Sequence, residues 1–214
     1  MNWLYISLSG YFLLAFSFVL DKALLKRRIP RPAVYAFYVA ILSLGSLLLI
    51  PFGVRWVGWE FFAVSLLAGV LFIWALLFYY YAVKENEISR VAPLVGTVVQ
   101  ITTFFIGIIL FGNSFDWKNL VGIFLLIVGG FLISFDLPLR YRKILKGFKF
   151  SVLSGFMLGV AYIVFDSLYR SYRLSFGEDG VFVNGFLWTR IGLVVGGLSL
   201  LLKKEYRKSI LNTI

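Results

Sequence analysis

The chain contains no cysteine and no histidine. Disulfides, thiolate nucleophiles, imidazole proton relays and two of the commonest transition-metal ligands are therefore excluded from its chemistry. Acidic residues are scarce, 10 against 21 lysines and arginines, and charged residues make up only 14% of the 214. A water-soluble domain carries about 25% charged and about 45–50% apolar residues, whereas 61% here are hydrophobic and 19% aromatic. Too little polar surface remains to cover a soluble fold. A cleavable leader is also missing its parts: only Met1 and Asn2 precede Trp3, and no small-x-small site precedes Asp21. No nucleophile–base pair or metal-ligand cluster is spelled out, so no enzymatic activity, metal or cofactor is expected.

What is present is length in the apolar runs. Seven of them, Trp3–Leu20, Val34–Phe52, Phe61–Val83, Val91–Phe111, Trp117–Phe135, Phe150–Leu168 and Val181–Leu202, match the roughly 20 residues needed to cross about 30 Å of hydrocarbon. A transmembrane barrel would alternate in and out over about ten residues. The run NLVGIFLLIVGGFLIS (119–134) does not alternate. The expected fold is an all-α polytopic membrane protein of about seven transmembrane helices.

The cations sort by loop. The first connection holds Lys22, Lys26, Arg27, Arg28 and Arg31, the third Lys84 and Arg90, and the fifth Arg140, Arg142, Lys143, Lys146 and Lys149. Lys203, Lys204, Arg207 and Lys208 follow the seventh run, while the even connections hold only Arg55, Lys118, Arg170 and Arg173. Basic loops stay cytoplasmic. The odd loops are therefore expected inside a plasma or inner membrane, with the amino terminus outside. This distribution fits a bilayer rather than nucleic acid, and the clusters at 26–31 and 140–149 also suit anionic lipid headgroups. The stretch KENEISRVAPLVG (84–96) then reads as a cytoplasmic turn, with Ser89 capping the next helix and Pro93 in its first turn. A gating role for Glu87 is the sharper alternative. Trp3, Trp56, Trp59 and Trp117 lie near run ends, where indole rings anchor at the interface.

LSGYFLLAFSFVLDKALL (8–25) lies over LSGFMLGVAYIVFDSLYR (153–170) without a gap, matching Gly10 with Gly155 and Asp21 with Asp166. Five intervening helices make this an inverted repeat, a hallmark of many secondary transporters. The segment 82–134, with SRVAPL opening one helix, FG closing it, a short polar hairpin and the Gly-rich GIFLLIVGGFLI, resembles the end of an EamA-like unit of the drug/metabolite transporter superfamily. The resemblance implies one five-helix unit over 1–135, a basic connector over 136–149, and a partial second unit over 150–214. It also implies secondary transport of a small metabolite or drug-like solute by alternating access. Family members commonly carry Glu just after the Gly that ends the fourth helix, where this chain has Asn113. The superfamily's usual transporter has ten helices, so the chain is expected either to continue beyond Ile214 or to complete itself by association, including as a homo-oligomer. The other readings are a non-transporting scaffold or fragment, and a flippase for a lipid-linked substrate.

Polar groups inside the bilayer are costly and mark candidate sites. Arg190 sits near the middle of the seventh run, as a salt-bridge partner or a substrate-anion site, with Asp166 its candidate counterion. Gly155, Gly159, Tyr162 and Asp166 share one face of the sixth helix. Gly10, Ser17 and Asp21 share one of the first. Either acid is a candidate coupling group or a helix-end carboxylate in interfacial water. Gly96, Thr97, Gln100, Thr103 and Gly107 form a stripe on the fourth helix that either lines a cavity or bonds to a neighbour. Trp74, Phe78 and Tyr81 on the third are packing or an aromatic wall for a solute.

Overall fold

The computed structural model describes residues 2–29, 31–112, 116–134 and 141–213, without the side chains of Asn2, Trp3, residues 141–146, Glu178 and Asp179. Asn113, Arg140 and most of the 136–149 connector's basic side chains lie outside the described residues, as do the Trp3 anchor and the acids at 178–179.

Among the described residues, seven helices are long and apolar enough to cross a membrane. In hydrocarbon every backbone amide must be satisfied within the segment or by its protein neighbours, which leaves the helix as the solution for such runs. α1 is Asn2–Arg27 and α2 is Pro32–Leu42, continued by a 3-10 segment Ser43–Phe52. α3 is Trp59–Glu85, α4 Ile88–Phe111 and α5 Trp117–Ser134. The helical stretch Tyr141–Ser199 is broken at Gly177 (φ 72°, ψ 179°), a conformation that favours glycine. Its two spans are α6, Gly147–Gly177, and α7, Gly180–Leu202. A short amphipathic helix, α8, Lys204–Leu211, follows.

Several ends depart from the hydropathy pattern. α1 continues through Asp21 and Lys22 to Arg27, and α6 runs nine residues past Leu168, because polar residues outside the hydrocarbon still close helical hydrogen bonds. The second span is not a uniform α-helix. Its second half is 3-10, at about 2.0 Å per residue, and it contains Pro51, whose ring and missing N–H disfavour an α-helical interior. Ser89 does not cap α4: the N-cap is Glu87, without a side-chain cap bond, and Pro93 lies inside the helix.

α3 is central. It crosses α7 at glycine: a Cβ on Gly69 would strike the Gly192 and Leu193 backbone, and one on Gly192 would strike the Ser65 carbonyl. Small residues four apart let two membrane helices approach to backbone contact, and Ser65/Gly69 meets Gly192/Gly196 in this way. α6 packs on α4 by the same device, since a Cβ on Gly155 would lie 2.6 Å from Val98 and one on Gly159 would lie 2.7 Å from Thr102. α5 has no buried residue and touches α4 through Gly130 against Thr97. Residues 4–17 of α1 are all exposed, and its attachment is concentrated at the following turns.

The two ends of the bundle differ in chemistry. Lys22 Nζ donates to the carbonyls of Val83 and Asn86 (2.6 Å to the latter), tying α1 to the carboxy-terminal end of α3. Gly147 abuts Asn86, so the loops after α1 and α3 and the start of α6 lie together at a basic end. At the opposite end the 53–58 loop is stapled to α7. The Arg55 N–H donates to Asn184 Oδ1 (2.7 Å), and Trp188 Nε1 donates to the Arg55 carbonyl (3.0 Å). Trp56, Trp59, Phe62 and Trp188 pack around that staple with ring centroids 5.0–6.2 Å apart.

Candidate functional site

The face Gly155–Gly159–Tyr162–Asp166 of α6 changes character along its length. Its glycines press α6 onto α4. One turn on, glycine gives way to the side chains of Tyr162, Ile163, Asp166 and Arg170, and a cavity of about 230 Å³ opens between the helices. Thr103, Gly107 and Phe111 of α4 form the facing wall. Asp166 Oδ2 accepts from Arg170 Nε at 2.8 Å, an i,i+4 pair whose side chains are 58% and 76% exposed. The cavity therefore presents a carboxylate, a guanidinium and a phenol within an apolar frame. It lies towards the end of the bundle away from the basic turns. Phe72 of α3 backs Tyr162, with ring centroids 6.2 Å apart.

Three of the sequence candidates, Thr103, Tyr162 and Asp166, thus meet at one cavity. Gln100 lies one turn from Thr103 on α4. Its Oε1 is buried with no hydrogen-bond partner among the described residues, as is Tyr79 Oη on α3. Such an atom costs about 1–3 kcal/mol unless a water or solute meets it. Thr97, by contrast, leaves the stripe. It is 2% exposed, donates to the Pro93 carbonyl (2.9 Å) and faces Gly130 of α5, so residues 96–107 do not form one lining.

Arg190 is not bound to Asp166. Its guanidinium lies 4.5 Å from the Phe186 ring centroid, and it forms no ion pair among the described residues. The reason is local: Arg170 sits one helical turn from Asp166 and takes it. Asp21 has a different environment from its repeat equivalent. Its Oδ1 accepts a hydrogen bond from Tyr35 Oη at 2.6 Å. Tyr35 packs edge-on to Tyr80 (4.7 Å), and Tyr79 lies against Tyr80 and Phe18 (5.6 Å each). Trp74, Phe78 and Tyr81 of α3 each have a partner within the bundle. Trp74 Nε1 donates to Ser199 Oγ (3.0 Å), while Phe78 and Tyr81 stack on Phe150 of α6.

Several structural contributors were not among the sequence candidates. Arg170 joins the cavity through its i,i+4 spacing from Asp166, a signal that was available. Tyr35 and Lys22 act through a phenol and through backbone acceptors that no spacing rule reveals. Tyr172 and Ser65, joined at 2.8 Å between α6 and α3, are equally silent. No protein-family model, curated protein or solved structure matches this chain.

Proposed function

We propose that the chain is a secondary transporter of a small solute, working by alternating access between inverted units of the drug/metabolite type, residues 1–135 and 150–214. The α4–α6 cavity carries the reading, because it places Asp166, Arg170, Tyr162 and Thr103 together inside membrane-spanning helices. At about 230 Å³ it is smaller than the roughly 300–1,000 Å³ of drug-sized pockets, which favours a metabolite-sized solute. Asp166 is the coupling group of this reading, a carboxylate able to hold a proton or cation and to surrender it as the helices rearrange. The basic end is cytoplasmic in a plasma or inner membrane, and the cavity opens outward.

The test is flux. Proteoliposomes offered a panel of amino acids, nucleosides, sugars and organic cations should take up at least one of them. Asp166→Asn should cut that uptake at least tenfold at unchanged protein content. No uptake of any panel member, or full uptake by Asp166→Asn, removes the reading. Orientation has its own measurement. A single cysteine at Arg28 should resist an impermeant thiol reagent in intact cells, while one at Gly177 should react, and the reverse pattern inverts the topology.

The exposed α1 and α5 favour a second reading, a membrane subunit that pairs with another chain or another copy. Sizing in detergent separates it from a transporting monomer.

A further inference from the structure

We propose that the cleft between the α1–α2 turn and α8 binds a phosphate group, supplied by an anionic phospholipid of the surrounding leaflet. The cleft has a volume of about 280 Å³ and is lined by Arg28, Ile29, Arg31, Val34, Asn212 and Thr213. Two segments remote in sequence build it. Ile210, the buried residue of α8, joins Leu25 and Val34 in the main core, which fixes α8 beside the start of α2.

The lining chemistry selects an anion. Among the described residues it holds two guanidiniums and no carboxylate. Planar guanidinium forks match phosphate oxygens in pairs. The negative carboxy-terminal end of α8 would oppose an anion, but Arg31 Nη1 already reaches the Ser209 carbonyl at 3.5 Å, as does Thr213 Oγ1 at 2.8 Å. Arg31 keeps further N–H groups to donate, and the Asn212 amide adds two. The rim is basic as well, since Lys204, Arg207 and Lys208 are exposed on α8 and Lys26 and Arg27 on the last turn of α1.

Position selects the lipid over a free ion. Val34 lies in the first turn of the second span, so the cleft sits where hydrocarbon meets headgroup. Ile29, only partly buried at the cleft wall, offers apolar contact to a glycerol or acyl carbon, which inorganic phosphate does not have.

The experiment measures binding and melting of the purified protein in neutral detergent, with phosphatidylglycerol, phosphatidylcholine or inorganic phosphate added. Each near-surface cation is worth about fivefold in affinity for an anionic lipid. A diffuse basic face therefore predicts equal losses for the pair Arg28→Gln/Arg31→Gln and the pair Lys204→Gln/Lys208→Gln. A built cleft predicts a loss well beyond about 25-fold for the arginine pair and no more than that for the lysine pair. It also predicts that phosphatidylglycerol raises the melting temperature while phosphatidylcholine does not. If inorganic phosphate gives the same arginine-dependent shift, the phosphate site stands and its ligand is a soluble phosphate. Equal losses in the two pairs, or an arginine pair that retains phosphatidylglycerol, overturn the proposal. All four side chains belong to exposed residues, so both pairs are expected to fold, and single Arg31→Gln repeats the measurement with a smaller charge change.

Discussion

Gly192→Leu is expected to leave almost no folded protein. The Cβ it adds would strike the Ser65 carbonyl oxygen and lie 3.0 Å from Ser65 C and 3.1 Å from Leu66 Cα. These are backbone atoms of α3, which cannot turn aside as a side chain can. Relief requires α3 and α7 to separate along their whole crossing, including Gly69 against Gly192 and Gly196 against Ile73. Overpacking a well-filled core costs about 1–3 kcal/mol when side chains can adjust, and here they cannot. Gly192→Ala should melt markedly lower and Gly192→Leu should elute as aggregate on fluorescence-detected size exclusion. Gly10→Leu and Gly122→Leu, where nothing lies within 4 Å, serve as matched controls and should behave as the parent. A monodisperse Gly192→Leu with the parent's melting temperature would mean that α3 and α7 do not cross here.

Arg190→Met is expected to raise stability while abolishing flux. An arginine at a helix centre costs about 2.5–3.5 kcal/mol on insertion scales. Stacking on Phe186 returns about 0.5–2 kcal/mol. The difference, about 0.5–3 kcal/mol, is what methionine should recover, since it fills similar space without charge. Arg190 has no carboxylate bound to it among the described residues, and under the proposed function it is an anion contact during the cycle. The two readouts are independent. A rise in melting temperature with normal flux would make the arginine peripheral to function. Loss of folded protein would show that Arg190 holds the bundle together.

The seven crossings were legible because each run exceeds what a soluble core helix needs, and hydropathy reports hydrocarbon depth directly. Their ends were not, because a helix stops where its hydrogen bonding stops, as Gly177 does for α6 and Asn86 for α3. The Gly155–Asp166 face was readable from spacing, and it does meet α4. Asp166 was assigned the wrong arginine, since an i,i+4 neighbour on the same helix outcompetes one on another helix whatever the repeat suggests. The stripe 96–107 failed at Thr97 for an angular reason: residues six apart stand about 120° apart on a helix of 3.6 residues per turn, so Thr97 and Thr103 cannot serve one wall. Lys22 was counted as a loop charge, and nothing in a sequence marks a side chain that will find main-chain carbonyls on another helix.

The glycine crossing of α3 and α7 also dictates when the molecule can be finished. Gly69 and Gly192 are separated by more than half the chain, and synthesis at about 5–20 residues per second leaves the α3 notch waiting on the order of ten seconds for its partner. Until then the central helix has a concave face with only lipid against it. Contacts so far apart in sequence form slowly. Any other span with small residues four apart, including one from a neighbouring nascent chain, could lodge there first. The feature that makes the finished bundle tight is thus the one that makes its assembly depend on the ribosome's pace.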